Sequence, residues 1–130
     1  MRNINMLYYT FSFLLLLVIP CFGKPNVQFN ELSYDFGKVK QETKLKHIFT
    51  FKNTGSSTLT IEKISAGWGC TGVLLSRKDI PAGGDGEIEI TLETGTNKGK
   101  IIKSIYVYTN DKNNIKVTLK VEAIVFSKEK

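Results

Sequence analysis

The sequence has few cysteines, histidines and arginines, and no hydrophobic run long enough to cross a membrane. Its 130 residues include two cysteines and one histidine, His47. A single histidine allows only one histidine-dependent catalytic arrangement, with Cys70 as the nucleophile. The same pair supplies only two good metal ligands, too few for a structural zinc site. The apolar run from Leu7 to Ile19 has 13 residues, whereas a spanning helix needs about 20, so a multispan membrane protein is excluded.

The first 23 residues have the layout of a secretory signal peptide. Arg2 precedes the apolar run, and Pro20-Cys21-Phe22-Gly23 follows it. We expect cleavage between Gly23 and Lys24, which leaves one domain, residues 24–130, that is periplasmic or secreted. Lipidation of Cys21 is the less favoured outcome, because Pro20 stands where a lipoprotein signal has Gly, Ala or Ser.

Positive charge is the main bias of the composition. Lys and Arg total 18 against 12 acidic residues, which gives a net charge of +6. Beyond the predicted signal peptide every base except Arg77 is Lys, and the lysines alternate with acids along the chain. Specific nucleic-acid readers use clustered arginines. The pattern therefore predicts no nucleic-acid partner and favours weak association with anionic envelope surfaces.

Alternating apolar and polar residues predict β-strands and no helix in the remaining chain. In the clearest strand, Ile115–Val125, every second residue from Ile115 onward is apolar and is assigned to the interior. The other predicted strands are Val27–Phe29, Leu32–Phe36, Lys44–Lys52, Thr58–Ile64, Glu87–Glu93 after a Gly83–Gly86 turn, and Gly99–Thr109. Short strands at this spacing predict an all-β fold, a single immunoglobulin-like antiparallel β-sandwich of about seven strands.

A series of short motifs occurs in order along this predicted sandwich. The motifs are Asp35-Phe36-Gly37-Lys38-Val39, His47-Ile48-Phe49-Thr50-Phe51-Lys52-Asn53-Thr54-Gly55, Leu59-Thr60-Ile61, Gly69-Cys70-Thr71, Ile80-Pro81-Ala82-Gly83, Gly86-Glu87-Ile88 and Tyr108-Thr109-Asn110. Together they resemble an exported bacterial family, the domain of unknown function numbered fifteen seventy-three. That family is immunoglobulin-like and similar to the Hydin-type and major-sperm-protein-type sandwiches. The resemblance implies this fold and export, and it implies no established activity.

The chain departs from the family at one turn. The family carries Cys-Gly-Cys-Thr, whereas this chain has Trp68-Gly69-Cys70-Thr71. Chemistry that needs both thiols, such as a strained disulfide or a two-sulfur metal site, is therefore not carried over. Of the two cysteines in the family turn, this chain has only the second, Cys70.

Two further motif matches are interpreted as structural. The segment Gly67–Gly72 has the spacing of a phosphate-binding glycine loop, but the residues after it look extended rather than helical. We interpret it as a tight inter-strand loop in which Trp68 packs down. The kinase tripeptide Asp35-Phe36-Gly37 occurs without other kinase motifs, and we interpret it as a strand end with Phe36 in the core and Gly37 in a turn.

Cys70 and His47 are the candidates for chemistry. Three interpretations of Cys70 stay open: a buried thiol, a thiol that is reactive or paired between chains, and a metal ligand. Copper(I) is the metal that fits best, since it needs few ligands and prefers thiolate. His47 lies on the apolar phase of its strand, and we interpret it as a core-edge residue hydrogen-bonded to the backbone.

Side chains that share one strand face are the other candidates. Tyr106 and Tyr108 project from the same face, either as an exposed contact patch or into the core. Glu87, Glu89 and Glu93 also share a face, which we interpret as solvated rather than as a glycosidase pair.

The sequence predicts a binding or scaffolding module of the cell envelope that has no catalytic activity and no cofactor. The expected partner is an envelope protein, and the candidate contact residues are Trp68, Cys70, Tyr106 and Tyr108. The alternative is a thiol-redox or copper-handling protein that acts through Cys70, in one form as a disulfide-linked dimer. Only this alternative requires a solvent-accessible thiol.

The predicted processing is testable by intact-mass measurement of the protein from fractionated cells, with and without reductant. We expect the mass of residues 24–130 with one free thiol. A mass that begins at Cys21 and includes acyl chains would contradict cleavage after Gly23. A doubled mass that halves on reduction would favour the disulfide-linked dimer.

Overall fold

Two-residue periodicity produces nine strands in the computed structural model, which describes residues 23–67 and 70–127. The strands are β1 (Val27–Phe29), β2 (Ser33–Lys40), β3 (Lys44–Asn53), β4 (Leu59–Ala66), β5 (Cys70–Leu75), β6 (Asp79–Ile80), β7 (Asp85–Glu93), β8 (Gly99–Thr109) and β9 (Lys116–Phe126). No helix occurs among the described residues. The predicted all-β class is confirmed, and the predicted signal peptide lies outside the described residues apart from Gly23.

The strands form two sheets that enclose one core. The first sheet has the order β1-β3-β7-β5, and the second has the order β2-β9-β8-β4-β6. All pairings are antiparallel except that of β2 with β9. The largest fully buried side chains of the core are Phe49, Phe51, Leu59, Ile80, Ile88, Ile90, Leu92, Ile105, Val107, Leu119 and Val121. Each sheet therefore has one apolar inner face and one outer face in solvent.

The chain changes sheets between β1 and β2. β1 pairs with β3 in the first sheet, and β2 then crosses to pair with β9 in the second. A bulge interrupts β2 between Asp35 and Lys38, where Gly37 has a φ of +76° and donates its N–H to the Asp35 carboxylate at 2.8 Å. Phe36 packs against the core as predicted. The predicted strand end at Gly37 is wrong, because the bulge absorbs the turn and β2 continues to Lys40.

Two other expectations differ from the structure. Nine strands are present rather than about seven, because the segments Cys70–Leu75 and Asp79–Ile80 also pair with neighbouring strands, as β5 and β6. Ile115, which the alternation assigned to the interior, is 62% exposed. The reason is that β9 begins at Lys116, so that Ile115 belongs to the preceding turn rather than to the pleat.

The side chain of Asn53 links the ends of both sheets. Asn53 is 0% exposed at the end of β3. Its Nδ2 donates to the carbonyl oxygens of Ser57 at 2.8 Å and Ile80 at 3.0 Å. Its Oδ1 accepts from the N–H groups of Asn26 at 3.2 Å and Gly55 at 3.0 Å. One amide thus joins the segment before β1, the β3–β4 turn and β6.

Substitution of Asn53 tests the importance of this amide. We expect Asn53→Ala to lower the free energy of unfolding by about 3 kcal/mol, because it leaves buried main-chain groups without partners. Denaturant-induced unfolding of both proteins measures the difference. Asn113→Ala, at an exposed turn position, is the matched control and should change stability by less than about 0.5 kcal/mol. Equal effects of the two substitutions would contradict this role of Asn53.

Candidate functional site

Tyr106 and Tyr108 lie on the outer surface of the five-stranded sheet. The intervening residues of β8, Ile105, Val107 and Thr109, are buried in the core, so the tyrosines face away from it. Both rings are half-buried among neighbouring side chains. The structure thus places them on the solvent side of β8 rather than in the core.

A lysine covers each tyrosine ring. The Nζ of Lys116 lies 4.4 Å from the centroid of the Tyr106 ring, and the Nζ of Lys63 lies 5.8 Å from that of Tyr108. Lys63 of β4 is directly opposite Tyr108 in the strand register, whereas Lys116 of β9, also opposite Tyr108, reaches diagonally to the ring of Tyr106. These cation–π contacts hold both ammonium groups at the outer surface.

The outer surface of the five-stranded sheet is rich in lysine, and we call it the lysine face. Its outward positions on β2, β4, β8 and β9 carry Lys38, Lys40, Lys63, Lys100, Lys116 and Lys120. The carboxylates on the same surface are Asp35, Glu62, Glu122 and, on β6, Asp79. One described ion pair joins the two sets, Lys100 to Glu122 at 3.8 Å.

Exposed apolar side chains lie at one end of the lysine face. Ile102, Ile124 and Phe126 are each between 42% and 49% exposed. The register places Ile124 between Lys38 on one side and Lys100 on the other, and it places Phe126 opposite Lys40. Glu122 lies opposite Ile102, so three lysines and one glutamate border this apolar cluster.

The outer surface of the four-stranded sheet has the opposite balance. It carries Lys44, Lys46 and Lys52 on β3 and Asp85, Glu87, Glu89 and Glu93 on β7. Lys44 lies 3.7 Å from Glu93, and Lys46 lies 4.0 Å from Glu89. The three glutamates face solvent, as predicted, and cross-strand lysines accompany them.

The edge strand β5 has a hydrogen-bonded neighbour on one side only, β7, among the described residues. Ser76, just after β5, donates its N–H to the carbonyl oxygen of Glu87 at 2.9 Å. Because hydrogen-bonded pairs alternate along antiparallel strands, the main chain of Leu74 also faces β7, and that of Val73 and Leu75 faces away. The free edge therefore presents two pairs of main-chain donors and acceptors.

Exposed apolar side chains accompany this edge. Leu74 is 67% exposed on the outer surface of the sheet. The register places Leu74, Glu89 and Ile48 in one row across three strands, and Ile48 is also exposed. These side chains, together with Ser76 and Glu87, line a shallow concave surface. The sequence did not indicate which residue of Val73-Leu74-Leu75 faces outward, because all three are apolar.

Of the contact residues predicted in the Gly67–Gly72 segment, Cys70 lies at the start of this edge. Cys70 is the first residue of β5 and is paired in register with Leu92 of β7. Trp68 lies outside the described residues, and for Cys70 the structure describes the main chain. A strand, not a helix, follows the glycine-rich segment, which confirms that its phosphate-loop spacing is coincidental.

His47 is engaged in a cluster at the other edge of the first sheet. Its Nε2–H donates to the carboxylate of Glu31, and its ring stacks on Tyr34 with centroids 3.7 Å apart and an angle of 14°. The partner is a side chain, not the backbone that the sequence interpretation proposed. Since β7 lies between the strands of His47 and Cys70, the fold does not place these residues on neighbouring strands as a nucleophile–base pair requires.

Comparison with known proteins identifies the family. A family model described as a protein of unknown function, DUF1573, matches residues 27–125. The chain belongs to the DUF1573 family. The resemblance inferred from the sequence motifs is thereby confirmed, and no match was found among curated proteins.

Solved structures similar to this DUF1573 chain include a PapD-like domain. A protein of unknown function from Porphyromonas gingivalis W83 aligns with a TM-score of 0.69 and 16% identity over 83% of this chain and 50% of its own. The PapD-like domain 7 of human CEP192 aligns with a TM-score of 0.59 and 12% identity over 79% of this chain and 87% of its own. A chaperone–tip adhesin complex of CFA/I fimbriae biogenesis gives a TM-score of 0.51 and 15% identity, over 81% of this chain and 58% of its own.

These likenesses show the fold alone, and this chain spans half the length of the P. gingivalis protein. Within the described part of this DUF1573 chain, no helix has the length and apolar character needed to span a bilayer. Among the same residues, no three or more His, Cys, Asp or Glu side chains are grouped as metal ligands.

Asp111 is the buried carboxylate of the described DUF1573 fold, at 2% exposure. It accepts hydrogen bonds from the N–H groups of Val27 and Asn113, each at 3.0 Å, and from Asn114 Nδ2 at 2.9 Å. Burial alone raises its pKa, but the hydrogen bonds from Asn114, Val27 and Asn113 outweigh it and place the pKa below the ordinary 3.8. These contacts tie β1 to the β8–β9 turn and assign Asp111 a structural role.

The lowered pKa of Asp111 predicts an acid-dependent loss of stability. The unfolded chain takes up the proton at a higher pH than the folded one, so the contribution of Asp111 is complete above about pH 5 and declines as the pH falls through its folded pKa. The difference in unfolding free energy between the native protein and Asp111→Asn should therefore shrink from about pH 5 to about pH 2. Urea unfolding at each pH measures it, and a constant difference would contradict the assignment.

Proposed function

We propose that this DUF1573 chain is an exported binding module without catalytic activity, and that it captures an extended segment of a protein partner along the free edge of β5. The observation that carries the proposal is the single-neighbour strand β5 with its exposed Leu74. An unpaired strand edge presents a template on which another strand can form main-chain hydrogen bonds. Such an edge persists in a folded protein at a risk of aggregation, which a bound strand removes.

The geometry at β5 defines the expected segment. Its main chain would pair with the N–H and C=O groups of Val73 and Leu75, which face away from β7. Side chains alternate along a strand, so every second residue of the segment would lie on the outer surface beside Leu74. Apolar residues fit there, because Leu74 and Ile48 are exposed in the same row.

The contacts that His47 and Asp111 make within the fold support the absence of catalytic activity. His47, the only histidine, is held by Glu31 and Tyr34. The carboxylate of Asp111 is already occupied by three described hydrogen bonds within the fold. The Asp111 carboxylate is therefore not free to act as a general base, and His47 has no cysteine nucleophile on the described strands beside its own, since β7 separates it from Cys70.

A solved relative in fold supports a protein partner. The chaperone–tip adhesin complex is an assembly of proteins in fimbriae biogenesis, and its similar part shares this sandwich fold. A sandwich of this kind is therefore compatible with protein binding, and we extend this role to the DUF1573 chain on the strength of the β5 edge.

Export is supported by the position of the predicted cleavage site in the fold. Lys24 donates its main-chain N–H to the Ser56 hydroxyl at 3.3 Å and accepts from the Ser56 N–H at 2.9 Å. Cleavage before Lys24 would leave all nine strands intact. The proposed mature chain would thus keep the complete sandwich.

Site-specific photocrosslinking in intact cells tests strand capture. We expect a photoreactive residue at position 74 to give a discrete protein adduct, and one at position 115, an equally exposed apolar site in a turn, to give none. Val73→Pro should abolish the adduct, since it removes an N–H that faces the free edge while leaving the pairing with β7. Cys70→Ser should leave the adduct unchanged, because main-chain pairing needs no thiol.

The unfolding midpoint of Val73→Pro checks that the variant is folded. Adducts of equal yield at positions 74 and 115, or an adduct that survives Val73→Pro, would refute capture at β5. Loss of the adduct in Cys70→Ser would instead favour the thiol-based alternative.

A further inference from the structure

The excess positive charge of the described sandwich is concentrated on one outer surface. The lysine face carries six lysines and four carboxylates, whereas the outer surface of the four-stranded sheet carries three lysines and four carboxylates. The sequence alternates acids and bases along the chain. The folded chain sorts them, because every second residue of each strand faces the same side.

From this asymmetry we infer that the lysine face docks on the surface of an anionic phospholipid bilayer. Lysines near such a surface are attracted to its phosphate groups, and the attraction accumulates with their number. A sheet presents its lysines on one broad surface, so many of them approach a planar bilayer together. Lys63 and Lys116 are already held above tyrosine rings at the outer surface.

The apolar cluster of the lysine face fits the same ligand. Ile102, Ile124 and Phe126 are exposed side by side, with Lys38, Lys40 and Lys100 around them. At a bilayer surface apolar side chains enter the boundary between headgroups and acyl chains while neighbouring lysines stay at the phosphates. Tyr106 and Tyr108 add rings with a polar tip, which favour the headgroup region.

The residue types favour a lipid surface over a macromolecule. Protein–protein interfaces are depleted in lysine at their centre, whereas Lys120 lies in the middle of this face, between Ser33 of β2 and Ser104 of β8. Specific nucleic-acid binding relies on arginine forks, and the six bases here are all lysine. A lysine acts as a point charge that does not require a fixed ligand geometry, which suits a fluid layer of headgroups.

Docking through the lysine face is compatible with capture at β5. The face belongs to the second sheet, and β5 is an edge of the first. A bilayer on the lysine face would therefore leave the β5 edge open. This inference rests on the proposed export, which would place the protein beside a bilayer. Its test uses purified protein, so the result does not depend on export or on a partner at β5.

Sedimentation of the purified mature protein with vesicles tests the inference. We expect binding to vesicles containing phosphatidylglycerol, weaker binding as salt is added, and no binding to pure phosphatidylcholine. The triple variant Lys38→Ala, Lys100→Ala, Lys120→Ala should bind about a hundredfold more weakly, at about fivefold per lysine. Phe126→Ser should reduce binding severalfold and Ile115→Ser should not, because only Phe126 belongs to the face.

The matched control is the triple variant Lys44→Ala, Lys46→Ala, Lys52→Ala, which loses the same charge from the other sheet. It should retain most of the binding. Equal losses in the two triple variants would show attraction by net charge alone and would overturn the inference. Equal binding to phosphatidylcholine vesicles, or tighter binding to poly-aspartate than to phosphatidylglycerol vesicles, would also overturn it. Unfolding midpoints of all variants confirm that each is folded.

Discussion

The buried amide of Asn53 anchors outer strands of both sheets. It binds the main chain just before β1, an outer strand of the first sheet, and the main chain of β6, an outer strand of the second. Asp111 reinforces the same end by holding Val27 against the β8–β9 turn. Buried polar groups are stabilising only when their partners are present, so these segments are held in place together.

Side-chain contacts hold three of the four outer strands, β1, β2 and β6, against other parts of the fold. β1 and β6 are held at Asn53, and β2 is held to the first sheet by the stacking of Tyr34 on His47. β5 pairs with β7 and has no further neighbour among the described strands. The exposed Leu74 lies on that strand. All four outer strands have one hydrogen-bonded neighbour, and β5 is the one that combines this edge with the strongly exposed Leu74.

The two outer surfaces of the sandwich can differ in charge and in what they bind, because neither belongs to the core. Only the inner face of each sheet is required for the core, so the outward residues are free to vary in charge without changing the packing. Here the first sheet alternates lysines with glutamates across neighbouring strands, and the second collects lysines around an apolar cluster. An edge for a protein segment and a face for an anionic surface can therefore coexist on one small fold.

The sequence by itself determined the fold class, the family and most strand positions. Its apolar segments located β8 at Gly99–Thr109 and β1 at Val27–Phe29 as the structure has them, because short apolar segments bounded by turn residues are typical of strands. It also showed that Tyr106 and Tyr108 share a face. The residue pattern placed a strand end at Gly37, where the structure has a bulge, and a strand start at Ile115, where β9 begins one residue later. Both features depend on pairing with the neighbouring strand. Only the tertiary structure decided that β5 is an edge, that His47 contacts Glu31, and that six dispersed lysines share one surface. Those properties depend on which strands become neighbours, and strand order is set by long-range pairing that periodicity along the chain does not encode.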